Sequence, residues 1–195
     1  MKQIIVSALI ISIIILACNQ SANHTNTLAT VVTNDSLIKK GEYLVSIIGC
    51  GDCHSPEQFG PDGPEPIKGL EPSGFQYSSK TGFVDTAVFK NSWILMTSNA
   101  TAAAGPWGIS FAGNITSDET GIGNWTEQQF KKALTQGKFK GLDAAGNLLP
   151  PIPRPIYRNM KDEDISAIYA CLKSTKPVKN IIPAQVPSQK FNTEK

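Results

Sequence analysis

Charge is scarce in this chain, histidine scarcer, and no stretch alternates convincingly enough to be a strand. Charged residues make up 17% of the 195 positions and the net charge is +2. That balance leaves out a nucleic-acid face or a polybasic membrane patch. There are only two histidines and four cysteines. No internal repeat is visible, which leaves out a solenoid or propeller. Glycine and proline are plentiful, 16 and 13 residues. They cluster between Pro56 and Gly123 and predict irregular structure there rather than an extended sheet. The length fits one domain plus ends. The expected class is all-α with long loops.

The first residues, "MKQIIVSALIISIIILAC", carry one lysine, an apolar run from Ile4 to Ala17, and then Cys18. The run is short for a bilayer span and matches the apolar stretch of a secretory signal. Its end, Ile15-Leu16-Ala17-Cys18, resembles a bacterial lipobox. That resemblance implies cleavage before Cys18 and a lipid on its sulfur, with residues 1–17 as signal peptide; an uncleaved anchor helix is the alternative. Both export the domain to the periplasm or cell envelope, attached to a membrane. Residues 18–35 are polar, small and aperiodic and read as a flexible tether; His24 lies in it.

Three helices are legible beyond the tether. Leu37, Gly41, Leu44 and Ile48 recur at helical spacing, with Asp35 or Ser36 available as N-cap. Gly41 inside a helix predicts close approach of another helix. Thr126 and Gln129 form a capping box, Trp125 and Phe130 stand at staple positions, and Gly137 supplies a stop. The last helix opens on Asp162, Glu163 and Asp164, where its dipole favours negative charge. Ile165, Ile168, Tyr169 and Leu172 make its apolar stripe, and Pro177 follows its end.

The first helix runs into "IIGCGDCHSP", which sets Cys50 and Cys53 three apart with His54 directly after. A structural zinc ion needs four ligands, usually in two separated pairs. The other candidates are Cys18, His24 and Cys171, and no second pair exists. A redox Cys-x-x-Cys belongs at a helix start within a βαβ unit, whereas this one ends a helix. Haem uses every part of the motif: Cys50 and Cys53 as covalent thioethers and His54 as proximal iron ligand. A flat apolar ring would also give irregular loops a core to pack on. Trp93, Trp107, Phe111 and Trp125 suit the wall of such a cavity, or serve as ordinary core aromatics. Cys171 reads as a small buried hydrophobe.

With that motif in place, the chain resembles class I c-type cytochromes, and more narrowly the single-haem cytochromes that accompany periplasmic dehydrogenases. The resemblance runs over about residues 36–183, leaving 184–195 as a tail. It is carried by "KKGEYLVSIIGCGDCHSP", "GPWGISFAGNITSDETGIGNWTEQQF" and "YRNMKDEDISAIYACLKSTKPVKNIIP". It implies a cytochrome c-like fold whose first and last helices cross around one covalent haem c. It also implies an electron carrier rather than an enzyme, passing electrons between redox proteins such as a dehydrogenase or a terminal oxidase.

One stretch departs from the family. The proline-rich loop that presents a methionine sulfur to the iron reads Pro151-Ile152-Pro153 here, and isoleucine has no lone pair to donate. Met160, eight residues on, is the best single candidate for a sixth ligand, with packing at the helix entry as its plainer role. Met96 is a second candidate and Lys161 a weaker one. If nothing reaches the iron, a five-coordinate haem open to small ligands or peroxide is the alternative function. Arg154 then stands beside the departed position, as a distal group, a propionate partner or a surface residue.

Overall fold

A computed structural model describes residues 33–77 and 84–188. Residues 1–17 with their expected signal, Cys18, His24 and most of the tether lie outside the described residues. No described helix is long and apolar enough to cross a membrane.

Helix α1 spans Asn34–Ile47 and is capped by Thr33, whose Oγ1 accepts the Ser36 N–H at 3.2 Å. The caps expected at Asp35 or Ser36 therefore fall two to three residues too late. Gly49, at φ 72, turns the chain into the short helix α2, Cys50–His54. Helix α3, Glu127–Gln136, has the expected capping box between Thr126 and Gln129 and ends at Gly137, φ 67. A short α4, Arg154–Tyr157, precedes α5, Asp162–Lys173.

Helices α1 and α5 cross at Gly41, the one buried residue of α1. A Cβ there would fall on the Ala167 carbonyl and 2.6 Å from the Cys171 Cβ. Lys40 reaches across to Asp164 at 2.6 Å. Ile165, Ile168 and Leu172 of α5 form the core with Ile122 and Phe130, and Leu44, Ile48, Trp125, Met160 and Tyr169 pack around them. Burial of side chains of this size contributes about 1.5–3 kcal/mol each.

The all-α expectation of three helices is overturned. Besides the helices, two antiparallel sheets are present. One is a hairpin of β1, Glu57–Gly60, and β2, Gly63–Pro66. The other orders β3, Leu95–Met96; β4, Ala102–Gly105; β5, Gly108–Phe111; and β6, Val186–Pro187 as β3-β4-β5-β6. Gly105 pairs with Gly108, so only Pro106 and Trp107 form the turn between β4 and β5. The strand Ala-Ala-Ala-Gly is buried along its whole length. A strand covered on both faces shows no alternation, and alanine and glycine are poor strand formers by composition. Pattern reading therefore has nothing to find there.

Beside the sheet, Asn114 and Asn180 tie loops together. Asn114 Nδ2 donates to the Val178 carbonyl at 2.8 Å, and Asn180 Nδ2 donates to the Ser73 and Phe75 carbonyls at 2.8 and 2.9 Å. These bonds satisfy carbonyls that no ladder would pair.

Candidate haem site

α2, the β4–β5 hairpin, α3, the loop 148–153 and α5 enclose a large cavity of about 1120 Å³, counted to its open mouth. Its wall is mostly apolar: Phe111, Phe130, Leu134, Leu148, Ile168 and Leu172 among others. Cys50, Cys53 and His54 line the same cavity, brought there by the turn at Gly49 and the single helical turn of α2. Both cysteines are free thiols. Burial pushes the Cys50 thiol up to about 11 and raises Cys53 as well, with Asp52 adding to both. Both thiols are thereby held toward the protonated form rather than as thiolate nucleophiles.

His54 is half-buried, and its Nδ1 lies 2.7 Å from the Gly113 carbonyl oxygen. A carbonyl only accepts, so Nδ1 carries the proton and Nε2 keeps its lone pair. Burial lowers the imidazole pKa, against a smaller opposing effect of the Gly113 bond. The ring is thus held neutral, in one tautomer and one orientation, as a metal-ligating imidazole requires.

The rest of the wall completes a fit to haem c. Apolar side chains can cover both faces of a porphyrin, and two thiols stand beside an imidazole with an available nitrogen. Trp107, expected on this wall, is not among its lining residues; its buried Nε1–H has no hydrogen-bond partner among the described residues.

Of the residues singled out from sequence, Cys50, Cys53, His54, Phe111, Ile152 and Met160 line the cavity. Met96 does not; it is 46% exposed on β3. Trp93 is 69% exposed, and Trp125 packs on the α5 core rather than the cavity wall. Lys161 points to solvent near Glu163. Arg154 is absent from the wall, with its side chain lying against Gly137. Cys171 is buried against Gly41, as a small hydrophobe would be.

Sequence reading missed Tyr157, Gln185 and the Gly113 carbonyl. Tyr157 lines the cavity, and its phenol pKa is raised by burial and by the neighbouring Cys50 and Cys53. Gln185 is brought in by β6 pairing Ile109 with Val186. Neither carries a motif, and a backbone carbonyl leaves no trace in side-chain composition.

No family model matches the chain. Over 144 residues it is 32% identical to the gluconate 2-dehydrogenase cytochrome c subunit of Pantoea cypripedii, 73% of this chain and 24% of that protein. It is 31% identical over 147 residues to the cytochrome c subunit of the quinone alcohol dehydrogenase of Gluconobacter oxydans, 74% of this chain and 23% of the relative. The fructose dehydrogenase cytochrome subunit of Gluconobacter japonicus matches at 36% over 91 residues, 46% of this chain and 17% of that one. The chain thus spans about a quarter or less of the length of these relatives.

Proposed function

Since the chain belongs to the c-type cytochrome family, we propose that it is an exported single-haem electron carrier serving a dehydrogenase. The observation that carries the reading is the grouping of Cys50, Cys53 and His54 on one apolar cavity, with His54 Nδ1 engaged by Gly113. Bound there, haem c supplies a one-electron iron couple. Cys50 and Cys53 would hold it through thioethers, and His54 Nε2 would ligate its iron. The Gly113 bond fixes that ring and makes Nε2 a stronger donor. Phe111, Phe130, Leu134 and Ile168 keep water off the faces, which holds reorganisation small when charge moves.

Met160, on the cavity wall just before α5, is the sixth-ligand candidate. Ile152 also lines the wall and offers the iron nothing. Cys18 is the site of a lipid anchor to a membrane of the envelope. Relatives named as cytochrome subunits of gluconate and alcohol dehydrogenases support a dehydrogenase as electron donor.

The test is covalent attachment. Produced with a cytochrome c maturation system, the protein is expected to stain for haem after denaturing electrophoresis. The double variant C50S/C53S loses the stain; a doubly substituted protein that still stains overturns the assignment.

A further inference from the structure

Trp93, Ile94, Leu95 and Met96 follow one another at an edge of the larger sheet, and all four are exposed, from 38% at Leu95 to 69% at Trp93. Among the described residues, β3 has β4 on one side and no strand on the other. Sheet edges in water are ordinarily blunted by charge. A run of large apolar side chains there marks a surface that something covers.

Charge is the first guide to the occupant. From Thr86 to Ser117 the one charged residue is Lys90, exposed three positions before Trp93. No carboxylate in that stretch would repel an anionic surface, and one cation would meet it. Tyr43 and Ile47 of α1 are also exposed, but Lys39 lies one helical turn from Tyr43 and Glu42 directly precedes it. They belong to a mixed, charged helix face.

Strand geometry is the second guide. Leu95 and Met96 pair with Ala104 and Ala103 of β4, and successive strand residues point to opposite faces. The edge is therefore apolar and exposed on both faces. A partner protein seated on a sheet needs apolar side chains on one face only, whereas a rim that is apolar on both suits a medium that surrounds it. A second copy adding itself by strand pairing would gain a ladder of only two residues, the length of β3.

Chain length supplies the third. Fifteen residue steps separate Cys18 from Thr33, a reach of about 50 Å at full extension. An anchor at Cys18 makes contact between the domain and the bilayer surface intramolecular, so a modest affinity is enough.

Resting on the Cys18 anchor above, we propose that Trp93–Met96 is a second membrane contact, seated at the boundary between phospholipid headgroups and acyl chains. The unpaired backbone along the outer side of β3 keeps the contact shallow, since an open sheet edge does not enter hydrocarbon. Tryptophan favours that depth, and Lys90 meets the lipid phosphates. The contact orients the domain against the membrane plane.

The test uses the processed, lipidated holoprotein in vesicles of phosphatidylethanolamine and phosphatidylglycerol. A phospholipid with a photoreactive diazirine on its acyl chain is included, and adducts are mapped by mass spectrometry. Adducts are expected to concentrate on residues 92–97 rather than on the exposed Tyr43 and Ile47. W93S/L95S loses them, and K90E, which alters no apolar side chain, weakens them. Adducts absent from 92–97 in a membrane-attached wild type, or unchanged in both variants, overturn the proposal alone. A dimeric wild type without these adducts, made monomeric by W93S/L95S, assigns the edge to a second copy and likewise overturns it. A wild-type protein that carries no lipid and leaves the membrane fraction overturns the anchor and this proposal together.

Discussion

Gly41 of α1 sits directly on the backbone of Ala167 of α5, close enough that a methyl group at Gly41 would overlap the Ala167 carbonyl. This contact sets how near the two helices lie. It thereby fixes Ile168 and Leu172 of α5 against Ile48, on a wall that also carries Cys50.

Gly41→Ala is expected to destabilise the protein. In an open helix the change gains about 1 kcal/mol, but overpacking at a crossing costs about 1–3 kcal/mol. Denaturant unfolding of the ferric holoprotein measures the difference; a raised midpoint means the helices do not meet at Gly41.

Ile152 and Met160 divide the question of the sixth ligand. The ferric wild-type protein is expected to show a sulfur-to-iron charge-transfer band that disappears in Met160→Leu. Ile152→Met added to Met160→Leu places a thioether on the proline-rich loop and moves the reduction potential back upward from that of Met160→Leu alone, within the ~0.8 V that axial ligation spans. A wild-type protein with no such band, whose ferrous form binds carbon monoxide rapidly, has an open iron instead.

Asp118 accepts the Thr120 side-chain hydroxyl at 2.6 Å and the Thr120 N–H at 2.9 Å, and these bonds hold its carboxyl below the usual carboxylate range. A depressed folded pKa adds stability above the ordinary aspartate pKa, and that stability is lost as pH falls through the folded value. Asp118→Asn is therefore less stable than wild type at neutral pH, and the two converge as the pH drops below the carboxylate range. A gap that persists unchanged at low pH removes ionisation as the cause.

Cys18→Ser is expected to abolish lipid labelling and to leave the precursor unprocessed. Metabolic labelling with a fatty acid and the mass of the membrane-associated form measure it. Unchanged mass and unchanged fractionation in the variant leave an uncleaved anchor helix in place of the lipid.

Helices α3 and α5 are legible because their signals are local. The Thr126–Gln129 box, Gly137 and the Ile165/Ile168/Leu172 stripe are complete within a few turns and appear where expected. The grouping of Cys50, Cys53 and His54 proposed to hold the haem is legible for the same reason, since the three are close in the chain and line one cavity. The hairpin Ala102–Phe111 is not legible. Its first strand is small residues buried on both sides, and its pairing depends on what covers it rather than on any pattern it carries.

By itself, the sequence determined the close spacing of Cys50, Cys53 and His54, on which the haem proposal rests, and how the two best helices begin and end, because covalent spacing and capping act within a few residues. The tertiary structure alone decided which of the distant candidates face the cavity. It turned Met160 inward and left Met96 on an exposed edge, set Arg154 against Gly137, and gave His54 the Gly113 carbonyl 59 residues away. It also folded Trp107 back over Gly105. Most of those outcomes rest on chain segments meeting at long range, where packing and unsatisfied backbone groups choose the partner and side-chain type alone does not.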